Sequence, residues 1–183
     1  MVEGFATRLV RRGRCHVFGD DLPIDDGITP RRFAAERITD PARLTPHLFE
    51  SIDPQFAGRV QPGDIVFAGR NFACGKPRVQ GFIALAALDL AVICTSMPYN
   101  MMRRAVARAI PVLIGGPAPD SIAASGDEVE IDFATGLVLN LTRGSEVLVP
   151  AMPPILLEIV ANGGAQAALR AWLASHPEQA IET

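Results

Sequence analysis

The chain has 183 residues, nearly half of them apolar, a size and composition that suit one domain with a sizeable buried core. Its 17 Lys and Arg against 20 Asp and Glu leave a formal net charge of -3, which excludes a global basic field able to hold nucleic acid or an acidic membrane surface. Neither an apolar run of membrane-spanning length nor a short apolar N-terminal run followed by small residues occurs, so a soluble, cytoplasmic protein is expected.

From Thr7 to Phe18, "TRLVRRGRCHVF" suggests a strand broken or turned at Gly13. The next stretch, "GDDLPIDDGITPRRF", is too rich in Asp, Gly and Pro for a helix or long strand and reads as a loop. "DPARLTPHLFESIDPQFAGRV" then reads as short helical turns, with Asp40 as N-cap, Pro41 at the first helical position and Pro54 interrupting a second piece. "GDIVFAGRNF" is a short buried strand, and "CGKPRVQGFIALAALDL" follows with Ile83, Leu85, Ala86, Leu88 and Leu90 at helical spacing. "AVICTS" is a second strand, "MPYNMMRRAVARA" a second helix and "IPVLIG" a third strand, an alternation that predicts parallel pairing through crossovers. After Gly115-Gly116, "GDEVEIDFATGLVLNLTRG" alternates apolar and polar residues around "DFATG" and predicts an antiparallel hairpin. The tail "PPILLEIVANGGAQAALRAWLASH" is helical on both sides of Gly163-Gly164, with Trp172 expected to pack a terminal helix onto the body. The sum is a compact α/β domain with antiparallel strands appended.

The turn "NFACGKPR" lies between a predicted parallel strand and a helix, hence at the carboxyl end of the sheet, where α/β proteins usually bind ligands. With the helix read as opening near Gly75, Pro77 suits its first turn, and Arg78 offers a fork that matches a carboxylate or phosphate. Lys76 reads two ways. Partly buried at the positive end of a helix dipole, its charged form is disfavoured and it serves as a general base; otherwise it simply neutralises an anionic ligand. The stretch is no Walker loop, lacking both the Gly spacing and the Ser or Thr after Lys, and no GxGxxG is present.

Cys15, Cys74 and Cys94 are far apart and without CxxC spacing, so they read as free thiols in a reducing compartment, with no metal site. A further reading makes Cys74 a nucleophile at a strand-helix elbow, with His16 as its base. Arg11-Arg12-Arg14 and Arg103-Arg104-Arg108 lack interleaved aromatics and read as solvated faces or partner contacts, and Met97, Met101 and Met102 as packing or interface residues.

The run "PGDIVFAGRNFACGKPR" followed by "ALAALDLAVICTSMPYNMMRRAVARAIPVL" resembles the small subunit of 3-isopropylmalate dehydratase and the swivel domain of aconitase. There, a comparable strand leads into Gly-Cys-Gly-Ser-Ser-Arg-Glu-His, a helix, a strand, a Ser-Phe-Ala-Arg-Ile-Phe-Tyr-Arg-Asn helix and a Gly-Leu-Pro strand. The loop "GDDLPIDDGITPRRF" and the stretch "GDEVEIDFATGLVLN" extend the likeness over nearly the whole chain. It implies a swivelling β/β/α domain spanning residues 1–183. Carried across, Cys74, Gly75 and Arg78 fall on the family's Cys, Gly and substrate-carboxylate Arg, while Asp26, Arg32 and Arg103 fall on further substrate-site positions. The chain departs from the pattern at Lys76-Pro77, where the family has Ser-Ser, and at Val79-Gln80, where it has Glu-His. The first of those serines is the family's base, so that role passes to Lys76 or is lost.

The resemblance implies a hydro-lyase subunit acting on a small hydroxy di- or tricarboxylate. It also implies an iron-sulfur large subunit, in a heterodimer or heterotetramer, that carries a [4Fe-4S] cluster and without which this chain is inactive. The Lys-Pro pair points to a substrate related to isopropylmalate and different from it. The alternative is a swivel module that has lost catalysis and serves carboxylate binding or assembly.

Overall fold

The computed structural model describes residues 9–177, so the strand start expected at Thr7 lies outside the described residues. The first strand, β1 (Val10–Val17), is followed by the short helices α1 (Arg31–Ala35), α2 (Pro41–Leu44) and α3 (Phe56–Arg59). Then come β2 (Ile65–Ala68), α4 (Gln80–Ala87), β3 (Ala91–Cys94), α5 (Tyr99–Ala107) and β4 (Val112–Ile114). A short helix α6 (Pro119–Ile122) leads to β5 (Glu128–Asp132), β6 (Leu137–Asn140) and β7 (Ser145–Leu148), and the described chain closes with α7 (Pro154–Ala161) and α8 (Ala165–Ser175).

The strands form one sheet in the order β4-β3-β2-β1-β5-β6-β7. β1 to β4 are mutually parallel, with Ile65 level with both Cys15 and Ala91, whereas β5 runs antiparallel to β1 and leads into an antiparallel meander. All residues of β2 and β3 are buried, as expected of strands covered on both faces. Period-two alternation divides them. Val66, Ala68, Val92 and Cys94 meet Leu44, Phe82 and Leu85 on one side, while Ile65, Phe67, Ala91 and Ile93 meet Val129, Leu157 and Val160 on the other. A stacked and edge-on group of Phe18, Phe49 and Phe56, with centroids 4.3 and 4.8 Å apart in sequence, fixes the helical segment before β2 onto the first face.

The predicted alternation of strands and helices, the hairpin around "DFATG", the Asp40 cap on Ala42 N–H at 3.0 Å and the break at Gly163-Gly164 are all present. Two expectations are corrected. First, β1 runs unbroken through Gly13, which pairs with Val129. The glycine is required by close approach: a methyl group there would stand 2.6 Å from the Gly63 carbonyl oxygen and 3.1 Å from the Asp64 Cα. Second, Trp172 does not anchor α8. It is 45% exposed and stacks on His176 at 4.4 Å, because α8 meets the body through Ala167, Ala168 and Leu173 and buries none of its residues fully. Beyond the expected hairpin, the chain continues into β7 through a tight turn closed by Gly144 N–H to the Asn140 carbonyl at 2.8 Å and Arg143 N–H to the Asn140 side chain at 3.0 Å.

Gly13→Ala is expected to destabilise the chain by about 1–3 kcal/mol, the usual cost of forcing an added methyl into a filled site. Urea unfolding should show a lower midpoint at an unchanged slope, and an unchanged midpoint would contradict the close approach of Gly63.

Candidate active site

Parallel pairing of β1 with β2 sends the segments that leave both strands out at the same end of the sheet. These are the loop from Gly19 to Pro30 and the turn from Gly69 to Val79, and they are joined beyond the strands. Gly69 N–H donates to the Gly19 carbonyl at 3.1 Å, Asp21 N–H to the Arg70 carbonyl at 2.8 Å, Cys74 N–H to the Leu22 carbonyl at 3.2 Å and Ile24 N–H to the Cys74 carbonyl at 2.9 Å. Side chains repeat the connection. Asp20 accepts Arg70 N–H at 2.7 Å and the Arg70 guanidinium at 2.9 and 2.7 Å, and the Asn71 amide donates to Asp21 at 2.8 Å. On the other flank, Ser96, just past β3, accepts Asn71 N–H through its hydroxyl and Phe72 N–H through its carbonyl, at 2.8 and 2.9 Å.

The helix after this turn begins at Gln80, not near Gly75. The Cys74 backbone is committed to the Leu22–Ile24 loop, Gly75 takes a left-handed φ of 95°, and Arg78 N–H closes back onto the Lys76 carbonyl at 2.8 Å around Pro77. The first helical bond is Ile83 N–H to the Val79 carbonyl, and the start of α4 lies under the loop: a methyl at Gly81 would stand 2.8 Å from both Ile24 and Ile28. The expected amide-lined cap at Gly75 is therefore absent, and an anion at this turn meets side chains.

Arg78 is the foremost of these. Its Nε lies 3.4 Å from the Asp25 carboxylate and its side chain is 34% exposed, while its terminal amino groups have no protein acceptor among the described residues. One edge of the guanidinium is thus oriented by the chain and the other is left open, the arrangement needed for a two-pronged grip on an incoming carboxylate. Lys76, two residues before, is exposed and unpaired among the described residues, so the partial burial expected for a base is absent from this chain alone. It is also the only lysine in the sequence, a signal the sequence reading passed over.

Cys74, Gly75, Lys76 and Arg78 thus share one turn. The other expected site residues have partners of their own. Asp26, with a φ of 63°, caps α1 by accepting Arg31 N–H at 2.8 Å. Arg32 pairs with Glu50 at 2.8 Å and lies over Phe33, and Arg103 lies 5.9 Å from the Tyr99 ring on the first turns of α5. The nucleophile reading of Cys74 fails because His16 is buried and bound to Asp64 at 2.8 Å. Asp64 sits before β2 and Cys74 beyond its far end, on the order of 13 Å or more away along the strand. Sequence reasoning missed the His16–Asp64 pair and the residues that bind the two segments, Asp20, Asp21, Arg70, Asn71 and Ser96; the signal for the latter was the pairing of β1 with β2.

No protein-family model matches the chain. It is 40% identical over 157 residues to the 3-isopropylmalate dehydratase small subunit of Moorella thermoacetica, covering 85% of this chain and 92% of that one. The chain belongs to the 3-isopropylmalate dehydratase small-subunit family. Small subunit 2 of the same enzyme from Archaeoglobus fulgidus is 40% identical over 153 residues, 83% of this chain and 90% of that one. The crystal structure of 3-isopropylmalate dehydratase from Methanocaldococcus jannaschii superposes with a TM-score of 0.84 at 31% identity, covering 94% of this chain and 100% of that chain. The seven-stranded mixed sheet is therefore the fold of this family, and the chain is a hydro-lyase subunit of isopropylmalate dehydratase type. Among the described residues no helix is long and apolar enough to cross a membrane.

The backbone N–H of Arg70, and then its guanidinium, hold the Asp20 carboxyl below the usual carboxylate range. A depressed value in the folded state means that the pair stabilises the fold above the unfolded range and that this is lost as pH falls through the folded value. In a carbon-detected NMR titration, Asp20 should titrate below about 3.9. Arg70→Ala should raise that midpoint only part of the way, because the amide of residue 70 remains; a full return to the ordinary value would mean that the guanidinium acts alone.

Proposed function

We propose that this chain is the single-domain small subunit of a heteromeric hydro-lyase that removes and restores water on a hydroxy di- or tricarboxylate of the isopropylmalate-like class. Arg78 grips a substrate carboxylate, and Lys76 takes the proton from the carbon next to the departing hydroxyl. The observation that carries this reading is the half-engaged guanidinium of Arg78, oriented by Asp25 through Nε with its outer edge open, at the carboxyl end of the parallel strands. Cys74 and Gly75 shape the turn, and Asp26 acts through the loop it closes. Arg32, paired with Glu50, and Arg103, exposed near the Tyr99 ring at the start of α5, are available for further substrate contacts.

A family relative named a small subunit supports a large partner, which in this reading carries the [4Fe-4S] cluster. The cysteines here do not fit such a group. Cys15 and Cys94 lie in the cores on opposite faces of the sheet, their thiols pushed up to about 11 and about 12, chiefly by burial, and a cluster ligand must be a thiolate. Among the described residues no group of three or more His, Cys, Asp or Glu could hold a metal ion. Held by the partner, such a cluster would supply the Lewis acid for the departing hydroxyl.

The base role of Lys76 rests on the chemistry of the two cations. An arginine grips an anion at least as well as a lysine but does not give up its proton in proteins, and every other Lys or Arg position of this chain is Arg. A single amine kept at the site turn suits proton transfer better than charge neutralisation. Two family hydroxyls are replaced here by an amine and a proline, which supports a substrate close to isopropylmalate but distinct from it.

In a cluster-loaded complex with the large subunit, assayed on a panel of hydroxy di- and tricarboxylates that includes 3-isopropylmalate, Arg78→Ala should lower kcat/KM by at least about tenfold through loss of a charge-assisted grip. Lys76→Arg and Lys76→Gln should be about equally inactive if the amine moves a proton. Activity of Lys76→Arg within a few-fold of the parent would leave only a charge at that position. Binding without turnover across the panel would mark a catalytically degenerate module.

A further inference from the structure

We propose that the cleft between α4, α5 and α8 is a binding site for a small dianion, a phosphate or a dicarboxylate, held by Arg108 and Arg170. The site is separate from the turn that carries Arg78. Helix α4 starts beside that turn and ends at the opposite edge of the sheet, where Gly63 N–H, just before β2, donates to the Leu88 carbonyl at 3.0 Å. There Ala86 and Ala87 of α4, Arg108 at the end of α5 and Gln166 and Arg170 of α8 line a cleft of about 460 Å³.

The chemistry of the lining is one-sided. Two guanidinium groups and the Gln166 amide are its hydrogen-bonding side chains, no carboxylate lines it, and the remaining walls are apolar or glycine. Arg11, Arg12, Arg59 and Arg143 each sit against a carboxylate, whereas Arg104, Arg108 and Arg170 have none among the described residues. Arg104 and Arg108, one turn apart on α5, repel each other, and the Arg104 Nε is buried without an acceptor. Burial, and then the charge of Arg104, hold the Arg108 guanidinium below its ordinary value, and an anion in the cleft would oppose both effects. Guanidinium forks match the oxygens of phosphate and of carboxylate equally in geometry, so the shared ligand chemistry is two neighbouring anionic oxygens, and the cleft holds a molecule larger than an inorganic ion.

The test is an amide NMR titration of the full chain with inorganic phosphate and, separately, malonate, at ionic strength fixed with chloride. Saturable shifts should gather at Ala86, Gly163 and Gln166, with a dissociation constant in the millimolar range or tighter for at least one anion. Saturation by phosphate alone assigns a phosphate group, and by malonate alone a dicarboxylate. The Arg108→Gln, Arg170→Gln double variant should bind about tenfold more weakly or worse, and Arg12→Gln, at an exposed arginine paired with Glu128, like the parent. If the double variant loses the parent's spectral dispersion, Arg170→Gln alone, at an exposed position, carries the comparison. Linear shifts without saturation for both anions, or equal binding by the arginine variants, would overturn the proposal.

Discussion

The structure depends on the parallel pairing of β1 with β2 and its continuation past the strand ends. Cys15, His16 and Val17 lie level with Ile65, Val66 and Phe67, and the pairing resumes beyond the strands in the bridge between Pro23 and Cys74. About fifty residues intervene in sequence, so neither segment can specify the site alone. The loop contributes Asp25, the turn contributes Arg78, and their meeting is a consequence of strand register. A one-residue slip of β2 against β1 would exchange the buried faces of β2 and separate that pair. The double coverage of β2 forbids the slip, because both its faces are filled. The register that buries Ile65 and Phe67 on one side is the register that brings Asp25 to Arg78.

The joined segments also hold backbone that isolated peptides avoid. Asp21, Asp26, Asn71 and Ala73 all have positive φ, and all lie on the two segments that meet above the sheet. Asp and Asn tolerate this conformation better than most residues; here Asp26 accepts the nearby Arg31 N–H, and the Asn71 amide reaches across to Asp21 on the other segment. Ala73 has no such means and is fully buried, so its conformation is held by the flanking bonds at Phe72 and Cys74. Non-glycine residues in this region cost on the order of 1 kcal/mol or more each and persist where the surroundings over-determine them. Here the bonds to Leu22, Ile24 and Ser96 do so, which gives a functional turn its rigidity without a helix cap.

What could be read in the sequence was what is local and periodic. The apolar runs of β2 and β3, the helical spacing of Ile83, Leu85 and Ala86, the Asp40 cap and the hairpin at "DFATG" each carry their signal within a few residues. The start of α4 was misplaced because Gly75 and Pro77 fit a helix opening as well as they fit a tight extended turn; the decision lies with Leu22 and Ile24, fifty residues away. Gly13 looked like a strand breaker for the same reason, its partner being the Gly63 backbone. Trp172 misled because ring size predicts burial on average, whereas α8 buries no residue fully and its half-buried positions are Ala167, Ala168 and Leu173. The contact of Arg78 with Asp25 was not legible, because Asp25 is one of four aspartates in a loop about fifty residues away.

The openness of the site bears on why such a chain works as part of a pair. A guanidinium and a carboxylate that meet in water gain little, because solvent screens the attraction and both groups give up good hydration. Arg78 is a third exposed and Lys76 is exposed, which puts the bare chain in that regime. The same contacts strengthen several-fold once water is removed, since the interaction scales inversely with the local dielectric constant. A surface lying over the turn would remove water from both cations and strengthen their hold on an anion. A rigid turn on a buried sheet can be built by one chain, whereas a dry, closed site that still admits a hydroxy acid is more readily made between two that separate and rejoin.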